Sequence, residues 1–144
     1  MRTALLLALV GSLLAGCVSP TDPWGREDAL EETQRKYTEL IRWGDVERAA
    51  QYVVPDQRDA FLRLAASMAH LRITDYDIGE IEFGERSASV TVVYHGYVVA
   101  QALERSGREH QEWVREGIDN TWQVRPQLQA VVDALEGLPP SAAR

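Results

Sequence analysis

The chain has 144 residues, a formal net charge of −7 at pH 7 and a single cysteine. This length allows one domain with a modest hydrophobic core. The acidity argues against nucleic acid as a partner, because an acidic surface gains nothing from the counterions that phosphates release. The single cysteine excludes an internal disulfide and a thiolate metal site.

Residues 1–16 are predicted to be a secretory signal peptide. Arg2 gives a positive start, residues 4–14 are almost entirely apolar, and small residues lie just before Cys17. The apolar stretch is too short for a membrane-spanning helix, which needs roughly 18 or more apolar residues.

The end of this segment, Leu-Ala-Gly-Cys at residues 14–17, resembles the lipobox of bacterial lipoproteins. The resemblance implies cleavage before Cys17, a diacylglyceryl group on its sulfur and an acyl group such as palmitate on its freed amine. Residues 17–22 then form a lipidated tether to a membrane of the cell envelope. Val18, rather than an aspartate, follows the cysteine, and this resembles sorting to the outer membrane, facing the periplasm. The alternative is a secreted protein with a free thiol.

Three helices are predicted after the tether. The first begins at Asp22, whose carboxylate can cap it, and ends before Gly44, where a left-handed residue is favoured. Asp45 is predicted to cap a second helix over residues 46–53. Asp56 is predicted to cap a third, whose apolar residues recur at helical spacing up to Leu71.

The hydrophobic period then changes to that of strands. Strands are predicted at residues 72–83, 87–99, 109–115 and 121–125, with a bulge at Gly79, while residues 100–108 are ambiguous between strand and turn. In the second strand Tyr94 and His95 lie on opposite faces. The main domain is predicted over residues 23–127, and residues 128–144 are predicted to hold a short helix and a disordered tail.

Two segments resemble the NTF2-like (cystatin-like cone) superfamily. Residues 40–50 join two helices through Gly-Asp and contain paired alanines, and residues 113–124 are similar to the closing hairpin of that superfamily. The resemblance covers roughly residues 27–125. It implies an α+β fold in which N-terminal helices pack on a curved antiparallel sheet around a conical pocket. It also implies an exposed sheet face through which two copies can pair as a homodimer.

Three residues are candidates for catalysis. His95 could act as a general base if its face lines the cone, because its ordinary pKa is close to neutral. Asp75 and Asp77 share one strand face, and a buried carboxylate could abstract a proton, as in the isomerases and dehydratases that the resemblance to the NTF2-like superfamily implies. Each of the three also has a plainer interpretation as a solvated surface residue. The four tryptophans, Trp24, Trp43, Trp113 and Trp122, are interpreted as core and edge packing residues, and the alternative is that they line a ligand cleft.

The sequence contains no metal-ligand spacing and no glycine-rich phosphate loop, so no metal or cofactor is expected. The favoured interpretation is an envelope lipoprotein that binds another envelope protein or a small apolar ligand without catalysis. The alternative is an enzyme that uses His95 with Asp75 or Asp77 inside the cone. A third interpretation is a subunit of a larger envelope assembly.

Overall fold

The computed structural model describes Asp22, residues 24–117 and residues 119–139. The predicted signal peptide and Cys17 lie outside the described residues. Within the described part, no helix is long and apolar enough to cross a bilayer. The helices are α1 (Arg26–Trp43), α2 (Val46–Ala49), α3 (Arg58–Ser67) and α4 (Gln129–Glu136), and the strands are β1 (Leu71–Phe83), β2 (Ser87–Val98), β3 (Arg105–Arg115) and β4 (Trp122–Arg125).

Local signals explain where the helices begin and end. Helix α1 starts later than predicted, because Gly25 has a left-handed conformation with φ of 62°. Asp22 still stabilises the first turn, since its carboxylate accepts a hydrogen bond of 2.6 Å from the Glu27 amide. The helix ends at Gly44 and the Asp45 side chain caps α2, both as predicted.

Two helix predictions need correction. The segment predicted as one helix over residues 46–53 is α-helical only to Ala49 and then tightens into a 3-10 turn at Ala50–Tyr52. Asp56 does not cap α3, because it lies inside a second 3-10 turn at Pro55–Gln57. A third such turn, Met68–His70, leads into β1.

The strands of the described residues form one antiparallel sheet in the order β1-β2-β3-β4. Strands β1 and β2 pair with two irregularities, one at Thr74 and one between Ile78 and Ile81, and the second contains the predicted bulge at Gly79. Strand β3 is longer than predicted, because it takes in residues 105–108. Helix α1 packs against the face that carries Tyr94, which we call the inner face; the opposite one is the outer face.

Helix α4 shares the core of the sheet rather than lying beyond the domain. Gly107 of β3 permits the contact: a Cβ atom there would lie 2.8 Å from the Cα atom of Val131. The guanidinium of Arg105 donates a hydrogen bond of 3.1 Å to the carbonyl of Leu135. The folded unit therefore extends past the boundary predicted at residue 127.

Candidate functional site

The structure brings His95 and Asp77 together on the outer face. His95 Nε2 lies 2.9 Å from Asp77 Oδ2, and its Nδ1 lies 2.8 Å from Oγ of Ser106, which is directly opposite on β3. The Asp77 side chain is 79% exposed and that of His95 is 32% exposed. Asp75 is not part of this group; its carboxylate accepts a hydrogen bond from the Tyr76 amide.

The prediction that His95 and Asp77 could meet inside the cone is wrong. Strand alternation buries Tyr94 on the inner face and therefore turns His95 to the outer face. A serine, a histidine and a carboxylate in one hydrogen-bonded line are the parts of an activated nucleophile. Acyl transfer also needs a site that excludes water and stabilises an oxyanion, which an open sheet surface does not provide.

A second polar group lies on the inner face, around Glu109. Its carboxylate accepts hydrogen bonds of 3.1 Å from the Tyr94 hydroxyl and 2.8 Å from the Gln111 amide. The backbone amide of Gln127, just before α4, donates a third of 3.2 Å. The carboxylate thus joins β2, β3 and the segment that leads into α4.

Gln111 extends this group toward α1. Its Oε1 accepts hydrogen bonds of 3.2 Å from the indole of Trp113 and 3.3 Å from the side chain of Gln34. Gln34 also donates to Thr38, at 3.0 Å. Among the described residues, the buried hydroxyl of Tyr37 finds no hydrogen-bond partner.

Burial raises the pKa of Glu109 to about 7, because the ionised carboxylate loses its hydration, and the three donors oppose this shift only in part. Burial and the nearby Glu109 raise the pKa of Tyr37 and of Tyr94 as well. A carboxyl group that exchanges a proton near neutral pH has the property that a general acid or base needs.

Glu109 is not among the candidates predicted from the sequence, although its spacing from Gln111 and Trp113 is a signal. Glu109 is two residues from Gln111 and four from Trp113, so the three share one strand face.

The interior of the cone is closed. Glu109, Gln111 and Trp113 each have 0% of their surface exposed, and so do Tyr37 and Tyr94. Tyr37 and Trp113 pack edge to face with ring centroids 5.8 Å apart. A substrate cannot reach the carboxyl group in this conformation, so the Glu109 group is part of the core.

An open groove lies between α1 and β1, and we call it the α1–β1 groove. It has a volume of about 630 Å³. Its apolar residues are Ile78, Ile81 and Phe83, all from β1 and partly exposed. Arg35 is the cation of the lining, and the carboxylates of the lining are those of Asp28, Glu31, Glu32 and Glu80.

The tryptophans divide into two pairs. Trp113 and Trp122 are buried as predicted, but Trp24 is 75% exposed and Trp43 is 71% exposed. A core position is therefore wrong for this second pair, which lies at the surface. Trp43 donates its indole hydrogen to Glu39 at 2.6 Å, and Arg42 lies over its ring.

In the described segments, no group of three or more His, Cys, Asp or Glu side chains could hold a metal ion. The remaining histidines lie apart from one another. His70 pairs with Glu136 at 2.8 Å, linking the start of β1 to α4, and His110 is exposed on the outer face.

The sequence matches no protein-family model and no curated protein. Among solved structures, the chain is similar to a SEC-C motif containing protein from Rhodopseudomonas palustris, with a TM-score of 0.55 and 12% identity over 74% of this chain and 89% of that one. It is also similar to an NTF2-like protein from Cytophaga hutchinsonii, with a TM-score of 0.51 and 16% identity over 68% of this chain and 91% of that one. At these identities the likeness shows the fold alone. This chain therefore has an NTF2-like α+β fold.

Proposed function

We propose that this chain is a lipid-anchored protein of the bacterial cell envelope that acts as a binding module and not as an enzyme. The lipobox at residues 14–17 supports the anchor. The folded domain begins soon after it, since Asp22 is already buried and caps the first turn of α1. Even a fully extended chain from Cys17 to Asp22 spans only about 17 Å, at roughly 3.3–3.6 Å per residue. The domain would therefore work close to the bilayer surface.

The observation that carries the non-enzymatic part of the proposal is the closed cone. Glu109 has the titration behaviour of an acid–base group, but it has 0% exposed surface. The line of Asp77, His95 and Ser106 is accessible, but it lies on an open sheet face. The α1–β1 groove combines access with an apolar floor, which is the combination that a binding surface needs.

The lipid supplies the attachment that the protein surface does not. With a net charge of −7 the chain gains no attraction from anionic headgroups. One acyl chain gives only marginal binding to a bilayer, whereas two or three hold a protein stably, since each buried methylene contributes about 0.8 kcal/mol. A diacylglyceryl group together with an N-acyl chain on Cys17 meets this requirement.

Metabolic labelling in a bacterial host tests the anchor. The wild-type chain is expected to take up labelled palmitate and to sediment with the membranes, in the outer-membrane fraction of a density gradient. Cys17→Ala should carry no label and should leave the outer-membrane fraction, while the control Ser19→Ala should behave as wild type. Persistent label in Cys17→Ala would refute the anchor.

A further inference from the structure

We infer that the α1–β1 groove and the outer edge of β1 bind an extended polypeptide segment that alternates basic and apolar residues, added to the sheet as a further strand. The inference rests on the proposed binding function and gives the partner's chemistry.

Strand β1 is an edge strand of the sheet that the described residues form. It runs for 13 residues, and β2 pairs with one of its two edges. In the described part of the chain no strand pairs with the other edge. An unpaired edge presents a row of backbone N–H and C=O groups, on which an extended peptide can add as a strand.

The unpaired edge of β1 borders the groove, because apolar side chains of β1 line the groove on its inner side. Ile78 pairs with Val92 of β2, and Ile81 pairs with Val90, so both point to the inner side. Phe83, which pairs with Ala88, points the same way. A strand added beside β1 would place every second side chain against these residues. Apolar residues at those alternate positions would cover the floor of the groove.

The charge of the surface selects the partner. Strand β1 carries four carboxylates and one cation, Arg72. The helix side of the groove adds three carboxylates and the cation Arg35, and one of these carboxylates, Glu32, pairs with Lys36 at 2.6 Å, so carboxylates still outnumber cations. Opposite charges across neighbouring strands are favourable, and like charges are unfavourable. A second copy of this chain would bring two acidic edges together, so the surface favours a partner rich in Lys or Arg. The carboxylates of β1 are Asp75, Asp77, Glu80 and Glu82.

The irregularities of β1 limit which strands can add to its unpaired edge. The chain departs from regular pairing at Thr74 and around Gly79, and such bulges discourage indiscriminate strand addition. The regular stretches between and after them, residues 75–78 and 81–83, leave room for a short partner strand.

Synthetic peptides test the inference on the full-length protein in detergent. The probes are Lys-Val-Lys-Ile-Lys-Val-Lys, its counterpart with glutamate in place of lysine, and two forms of the lysine peptide N-methylated along one edge or the other. The lysine peptide should bind at least about tenfold more tightly than the glutamate peptide, and its binding should weaken as salt rises from about 50 to about 500 mM. One N-methylated form should lose about tenfold in affinity while the other retains it, because strand addition uses a single edge of the peptide.

Two variants locate the binding surface. Ile78→Asp should weaken binding of the lysine peptide about tenfold, and Glu80→Lys should reduce the preference for lysine over glutamate. Leu103→Asp, at an exposed apolar residue in the connection from β2 to β3, is the matched control and should bind as wild type. Circular dichroism of each variant confirms that the fold is retained.

The inference is overturned by equal binding of the lysine and glutamate peptides, by equal binding of the two N-methylated forms, or by an equal loss in Leu103→Asp. A dimer that Ile78→Asp dissociates would also overturn it, because a second copy would then occupy the edge. The palmitate label on Cys17 distinguishes the two proposals: label without peptide binding refutes this inference alone, and peptide binding without label refutes the anchor alone.

Discussion

Tyr94 donates its phenolic hydrogen to the carboxylate of Glu109 across 3.1 Å, and neither side chain reaches solvent. The pair lies where α1, β2, β3 and the segment before α4 meet. A charged group in such a place destabilises the fold unless hydrogen bonds replace its lost hydration. Three hydrogen-bond donors replace part of the hydration that Glu109 loses. The pKa of Glu109 is raised because they do not replace all of it.

The stability of the fold should depend on pH through Glu109. The carboxyl group of Glu109 ionises near pH 4.5 in the unfolded chain but only at about 7 in the folded one. Between these values the folded state binds more protons than the unfolded state, so the free energy of unfolding falls as pH rises through this window, by about 3 kcal/mol from this residue.

Urea denaturation across pH 4.5–7.5 measures this effect, with Glu109→Gln as the test variant. Glutamine cannot ionise, so the decline should be about 3 kcal/mol smaller than in wild type. Glu112→Gln, on the exposed face of the same strand, is the control and should preserve the wild-type decline. An unchanged decline in Glu109→Gln would show that this carboxyl group is not buried as described.

Gly107→Ala tests the docking of α4. The added Cβ atom would lie 2.8 Å from the Cα atom of Val131 and 2.9 Å from its carbonyl oxygen, so the helix must shift. We expect a loss of about 1–3 kcal/mol in the free energy of unfolding, as for other overpacked contacts. Arg108→Ala, at the exposed neighbouring position, should change stability by less than about 0.5 kcal/mol. Wild-type stability in Gly107→Ala would place α4 away from the sheet.

Alanine substitutions of Trp122 and Trp43 test whether the first lies in the core and the second at the surface. Trp122 is buried and its indole donates to the carbonyl of Arg26 at 3.1 Å, so Trp122→Ala should lower the free energy of unfolding by about 3–5 kcal/mol. Trp43 is largely exposed, and Trp43→Ala should cost less than about 1 kcal/mol. Similar losses in the two variants, measured by urea denaturation, would contradict this division.

Trp24 and Trp43 test the orientation of the domain on the bilayer. They lie near opposite ends of α1, which is about 27 Å long at about 1.5 Å per residue, and Trp24 is nearer to Cys17. In vesicles with brominated acyl chains, we expect Trp24 to account for most of the quenching of the anchored protein, since tryptophan favours the membrane interface. Trp24→Phe should remove most of the quenching and Trp43→Phe should leave it. The reverse pattern would show that the other end of α1 faces the membrane.

Sequence periodicity predicts much of this fold, because its strongest signals are local. Alternation along residues 87–99 places Ala88 and Tyr94 on one face, and the structure buries that face. Gly44 and Asp45 mark the junction between the first two helices, and the structure confirms it. The start predicted at Asp22 differs from the observed one at Arg26, because the left-handed conformation of Gly25 interrupts the helix that the capping signal of Asp22 predicts.

The polar interior could not be predicted in the same way. Hydrophobic patterning searches for apolar residues in the core, and a fully buried glutamate is an exception that only its partners explain. Tyr94, Gln111 and Gln127 reach Glu109 from three parts of the chain. The position of α4 depends likewise on a contact between Gly107 and Val131, which no local pattern contains.

Intact-mass spectrometry of the protein extracted from bacterial membranes tests the central claim most directly. The account predicts a chain that lacks residues 1–16 and begins at Cys17, with the added mass of a diacylglyceryl group and an acyl chain on that residue. An unprocessed polypeptide that retains Met1 and carries no lipid, recovered from the soluble fraction, would contradict it.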